Sequence, residues 1–103
     1  MSIWALLPAL DAGNFLAHLT EQSLREFGTA DAWKPYERAF KTKFLQLAGN
    51  HISGSVEIYE LLSLARHIYL STQFAERSFL TEPLLDLCEN RMASLQMNAG
   101  RII

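Results

Sequence analysis

The chain has 103 residues, half of them hydrophobic and 19% charged, with a formal net charge of -2. That length supports one domain with a single core, and the composition is too apolar and too nearly neutral for intrinsic disorder. The single cysteine, Cys88, excludes an intramolecular disulfide framework and an all-cysteine metal site.

The first ten residues are apolar apart from Ser2, but no Lys or Arg precedes Arg25, and Pro8 and Asp11 cut the run short. They do not read as a secretory signal. No window of about 18 uninterrupted apolar residues occurs, so no spanning helix is expected. With a lone cysteine this points to a soluble cytoplasmic protein without a membrane partner.

The first helix is expected over 11–27, after a short apolar N-terminal turn. Asp11 is placed to cap its free amides. Ala12, Phe15, Leu16 and Leu19 recur at helical steps, and Gly28 suits the left-handed residue after the end. The second helix is expected over 31–48. Asp31 is its cap, Pro35 falls in the first turn where a missing amide costs little, and Trp33, Tyr36, Phe40, Phe44 and Leu47 form an aromatic stripe. Gly49 and Asn50 stop it.

The third segment, 55–80, contains no Gly or Pro. Ile58, Leu61, Leu62, Ala65, Ile68, Tyr69, Thr72, Ala75 and Phe79 hold one register, so the simplest expectation is one long helix with that stripe inward. Val56, Tyr59 and Leu64 lie off the stripe, which makes the helix apolar over much of its circumference. Such a helix is central or shared with a partner. The fourth helix starts at Thr81 as cap, with Glu82 favourable against the dipole and Pro83 in the first turn. Leu84, Leu85, Cys88, Met92 and Leu95 are its inward set, and 98–100 its end. No strand pattern competes. The expected fold is all-α: a single domain over 1–103, folded as a compact antiparallel bundle of four helices.

Residues 63–79 also resemble the helix-turn-helix of bacterial regulators. Leu64 and Ala65 match the first helix, Leu70 and Ser71 the turn, and Arg77 and Phe79 the end of the recognition helix. Tyr69 stands where that family has glycine, and Ala75 where it has a large apolar residue. The resemblance implies a DNA-binding regulator with Thr72, Gln73, Glu76 and Arg77 toward the bases.

Catalytic and metal chemistry find little footing. His18, His51 and His67 lie in different segments, no Glu-x-x-His occurs, and nucleotide and nucleophile-elbow motifs are missing. No cofactor and no enzymatic activity are expected. His18 and Glu21 share a helix face, as do Glu57 and Glu60, and both pairs read as solvated ladders. Cys88 reads as a small core residue. The charge is uneven: residues 34–43 hold four bases against the single acid Glu37, and Lys34, Arg38 and Lys41 share one face. The leading expectation is therefore a small helical interaction protein of the adaptor, chaperone-like or anti-activator kind. It takes a protein partner or forms a homodimer, with Trp4 and Leu7 as anchors and Lys34, Arg38 and Lys41 steering an acidic partner. Nucleic acid is the alternative partner.

Overall fold

A computed structural model describes residues 3–102, with side chains for 8–97. The four α-helices are α1 (Ile3–Phe27), α2 (Lys34–Ala48), α3 (Ser53–Gln73) and α4 (Thr81–Ile102), with 3-10 turns at Asn50–Ile52 and Ala75–Leu80. No strand occurs among the described residues. The fold is all-α, a compact four-helix bundle, as composition and periodicity predict.

The closest pair is α1 with α3, and the reason is written along α1. Ala9, Ala12, Gly13, Leu16 and Ala17 recur at helical steps and put small side chains on one face. Gly13 lies directly against the backbone of Tyr59 and Glu60: a Cβ there would stand 2.7 Å from the Glu60 nitrogen. Farther along, the Ser63 hydroxyl donates to Asn14 Oδ1 at 2.6 Å, and His18 meets the edge of His67 at 5.1 Å. Residue numbers rise together, so α1 and α3 run parallel. The short connections make α2 and α4 antiparallel to them.

Two apolar clusters fill the bundle. One joins Ala9, Ala12 and Leu16 of α1 to Ile52 and Val56, with Phe40 and Phe44 of α2 packed over them. The other joins Ala17 and Leu24 to Leu64, Leu80, Leu84 and Cys88. Each fully buried Leu, Ile or Val contributes about 1.5–3 kcal/mol relative to exposure. Burial pushes the Cys88 thiol up from its ordinary range, more than nearby Arg91 pulls it down, which suits a core residue.

Several local expectations are corrected. The N-terminal turn is not separate: α1 already begins at Ile3 and runs through Pro8, so Asp11 is interior and caps nothing. Trp4 and Leu7 belong to that added stretch, and their side chains lie outside the described residues. α2 begins at Lys34 after Trp33, without a side-chain cap. Asp31 serves the helix start through its backbone instead, its carbonyl accepting from the Lys34 amide at 3.1 Å, and the loop before it is held by hydroxyls. Ser23 Oγ accepts from the Ala32 amide at 3.0 Å and donates to the Thr29 carbonyl at 2.5 Å. Gly28, at φ +73, ends α1 in the left-handed conformation as expected. Helix α4 continues to Ile102, past 98–100.

The largest correction concerns 55–80. α3 ends at Gln73, and Phe74 is extended at φ -122, ψ 119. A 3-10 turn then leads straight into α4. The break has no glycine or proline because hydroxyls and burial make it. Ser71 Oγ donates to the Ile68 carbonyl at 2.6 Å, and Thr72 Oγ1 donates to the Tyr69 carbonyl at 2.7 Å, so both compete with helical amides. Ser71 and Thr81 share a 2.6 Å hydrogen bond that ties the two helices together, and Thr81, at φ -58 and ψ -54, is already helical where a cap residue is not. The turn also brings Leu80 into the core at 2% exposure.

Register differs as well. α3 buries Val56, Glu60, Leu64 and Ser71; of the expected stripe, Leu61 and Ile68 pack half-buried against the core, while most of the rest is exposed. Ile58, Leu62 and Tyr69 are 53%, 59% and 63% exposed. In α4, Leu84 and Cys88 are buried, while Leu85 and Met92 face outward. In α2, Phe40 and Phe44 are half-buried, Tyr36 and Leu47 are exposed, and the one buried residue is Glu37.

Candidate functional site

α2 and α4 lie against the central helix pair with a cleft of about 290 Å³ between them. Its floor is apolar: Leu16 of α1, Leu61 of α3 and Leu95 of α4. Its walls are charged. Lys34, Arg38 and Lys41, one face of α2 as their spacing predicts, line one side together with Glu37. Glu57 and Glu60 come from α3, and Arg91 from α4.

Most of these charges are paired. Lys41 Nζ donates to Glu57 Oε1 at 3.3 Å, and Arg91 donates to the buried Glu60. The expected ladder of Glu57 and Glu60 is thus split, with Glu60 inside and bridged across to α4. Lys34 stands 3.9 Å from the exposed Asp31. Arg38 is exposed and holds no ion pair among the described residues. Glu37 is 7% exposed. Its Oε1 accepts from Thr20 Oγ1 at 2.5 Å, while Oε2 meets no donor among the described residues. Arg91 and Glu37 carried little signal in the sequence. Arg91 sits alone on a polar stretch of α4, and Glu37 looked like one acid diluting a basic segment.

A second polar group lies on the α1–α3 seam. Glu21 was expected on a solvated ladder with His18, yet it is buried, with Arg25 Nε at 3.2 Å. His18 is exposed and edges onto His67. No group of three His, Cys, Asp or Glu side chains suited to a metal ion occurs among the described residues. Burial lowers the His67 pKa from its ordinary 6.5, and His18, Arg77 and Arg66 act the same way against the pull of Glu21. The folded protein therefore binds this proton less readily than the unfolded chain. Stability present above about pH 6.5 is expected to fall as pH drops below it. Urea midpoints at about pH 7.5 and pH 5.5 should show that slope, and His67→Gln should flatten it. An unchanged slope in the variant assigns the dependence to other groups.

The helix-turn-helix residues are not arranged as that motif requires. Residues 69–72 are helical, inside α3, where the motif needs its turn. Thr72 and Gln73 close α3, and Glu76 and Arg77 lie in the 3-10 turn, where the Arg77 guanidinium sits 5.8 Å from the Phe74 ring centre. No α-helix presents the four together. A recognition helix has to project its residues from one regular face into the major groove.

Compared with protein-family models, with curated proteins and with solved structures, the chain matches none significantly.

Proposed function

We propose that the protein is a non-enzymatic helical interaction module, an adaptor or anti-activator type of regulator. It takes an amphipathic helix of a protein partner, or of a second copy, on an apolar face of α3. One observation carries this reading. Ile58, Leu62, Ala65 and Tyr69 are all exposed and follow the four-three-four spacing of a coiled-coil seam. At 3.6 residues per turn they fall within an arc of about 60°. That arc lies on the side of α3 away from α1. The large members of the row stand more than half in water, and a helix apolar on two sides has a second surface to cover.

Lys34, Arg38 and Lys41 act at longer range here. They give α2 a basic face that draws in a partner with acidic flanks and speeds encounter more than it holds the complex. In a homodimer the seam would meet its own copy across a two-fold axis.

Affinity capture from native extract, with and without nuclease, tests the reading beside light scattering of the purified protein. The wild type is expected to retain a stoichiometric protein, or to dimerise, regardless of nuclease. Leu62→Asp, a change at an exposed position, should abolish that retention and leave the circular dichroism spectrum intact. Retention unchanged in Leu62→Asp rules out the α3 face. Recovery of nucleic acid with loss of protein on nuclease treatment rules out the protein-partner reading.

A further inference from the structure

We propose that the occupant of the α3 seam is a second copy of this chain, set antiparallel across a two-fold axis that crosses α3 between Ser63 and Leu64 and passes level with Cys88 of α4. This rests on the reading of α3 as an interaction face, and adds the partner, the register and a second helix.

The first ground is the spacing of the seam. Ile58, Leu62, Ala65 and Tyr69 follow one another at four, three and four residues, a series that reads the same in both directions. A two-fold axis through its midpoint lays Leu62 against Ala65 of the second copy, and Ile58 against Tyr69. Large meets small in the middle and aliphatic meets aromatic at the ends, so the two rows interdigitate. A parallel pair would set each residue on its own copy. Ala65 on Ala65 then leaves a gap between a leucine layer and a tyrosine layer, and the lining of such a gap loses its contacts.

The second ground is α4. Arg91, Ser94 and Leu95 turn one flank of α4 to the charged cleft. Leu85 and Met92 lie on the other flank by helical position. They are exposed and stand beside the seam. Their height follows from the two cross-links between α3 and α4, Glu60 to Arg91 and Ser71 to Thr81. The helices are antiparallel, so the midpoint of the seam is level with Cys88, which packs in one cluster with Leu64. Leu85 lies three residues before Cys88 and Met92 four after it. The axis that pairs the seam with itself therefore also lays Leu85 against Met92 of the second copy. Two exposed apolar rows share one centre, which is the self-complementarity a two-fold interface demands. One helix face alone falls short of the ~800 Å² per partner of a stable interface, and two come nearer to it.

The third ground is charge. Glu57 and Glu60 face the cleft, so Arg66 is the one charged residue of α3 at the border of the seam. That is too little for the charge pairs that select a different helix as partner. The axis sets Arg66 beside Tyr59 of the second copy, an attractive pairing. One repulsion is built in. Glu89 is exposed, borders the α4 row one residue past Cys88, and faces its own copy near the axis.

Sedimentation equilibrium of the full chain from about 5 to 500 μM tests this. The expected species has twice the chain mass. Leu62→Asp should stay monomeric throughout, with an unchanged circular dichroism spectrum. Glu89→Gln should tighten the dimer several-fold, as should added salt for the wild type, a gain that damage to the fold cannot imitate. Disulfide trapping reads the orientation, with Cys88 buried and outside the exchange. Ile58→Cys and Tyr69→Cys chains, mixed, should link to each other and neither to its own kind. In the antiparallel pair equivalent residues at the seam ends stand about 16 Å apart along the helix, and a disulfide spans no more than about 7 Å between Cα atoms. Self-linked Ile58→Cys overturns the proposal, and Glu89→Gln associating as the wild type does overturns the axis at Cys88. A chain monomeric at about 500 μM also overturns it. If that monomer still captures a protein through Leu62, the interaction reading survives without the second copy; if it captures none, both fall.

Discussion

Gly13→Ala is expected to destabilise the fold by about 2 kcal/mol, although alanine is the better helix former. Gly13 is in mid-helix, where removing a glycine normally gains about 1 kcal/mol. Here the new methyl would stand 2.7 Å from the Glu60 nitrogen and the Tyr59 Cβ, and 2.9 Å from the Tyr59 carbonyl carbon. Two of these are backbone atoms of α3, which cannot swing aside as a side chain would. The helices must separate, and the cluster of Ala9, Ala12, Leu16, Ile52 and Val56 loosens with them. Gly54 is the internal control. It is also helical, at the start of α3, but an added Cβ meets nothing within 4 Å. Gly54→Ala should therefore gain up to about 1 kcal/mol. Urea denaturation of both variants settles the contrast. A Gly13→Ala protein as stable as the wild type means that α1 and α3 do not meet at this point.

The second large effect is expected at Leu64. Leu64→Ala should cost about 3 kcal/mol, within the range for truncating a fully buried leucine. Leu64 is 0% exposed and packs in the cluster with Leu80, Leu84 and Cys88. Leu62→Ala, two residues away, should change stability by no more than about 0.5 kcal/mol. Periodicity alone makes the opposite forecast, because Leu62 is on the long apolar stripe and Leu64 is off it. Equal losses at the two sites would show that α3 buries both faces. The same comparison supplies a clean background for binding: Leu62 can be altered without touching the core.

What the sequence made legible follows from the strength of each signal. The number and order of the helices could be read from uninterrupted 3.6-residue periods between Gly28, Gly49 and the Thr81–Pro83 step. The face of Lys34, Arg38 and Lys41 could be read because three bases at helical spacing share a side whatever lies beneath. The register of α3 could not. With Ile58, Leu62 and Tyr69 on one side and Val56, Tyr59 and Leu64 on another, the period is satisfied twice. The choice falls to the small face of α1, which accepts the Tyr59–Glu60 backbone, and to Arg91, which meets Glu60. Both are tertiary facts with no local trace. The end of α3 was hidden for the same reason: Ser71 bonds to Thr81 across ten residues, and no breaker marks the place. Glu37 was hidden by its setting. An acid among bases looks solvated, and only the Thr20 hydroxyl, seventeen residues away in sequence, draws it inside.

The sparse anchoring of α2 has a consequence for the cleft. Its one buried residue is a glutamate, and Phe40 and Phe44 are only half covered. Elsewhere it is tied by the Lys41–Glu57 bridge and the Thr20–Glu37 bond. Lifting it away leaves the cluster of Ala17, Leu24, Leu64, Leu80, Leu84 and Cys88 untouched. Of the four helices it is thus the one whose detachment demands least, by local opening rather than global unfolding. Since α2 is also one wall of the charged cleft, the shape of that cleft rests on the helix that the bundle holds least firmly.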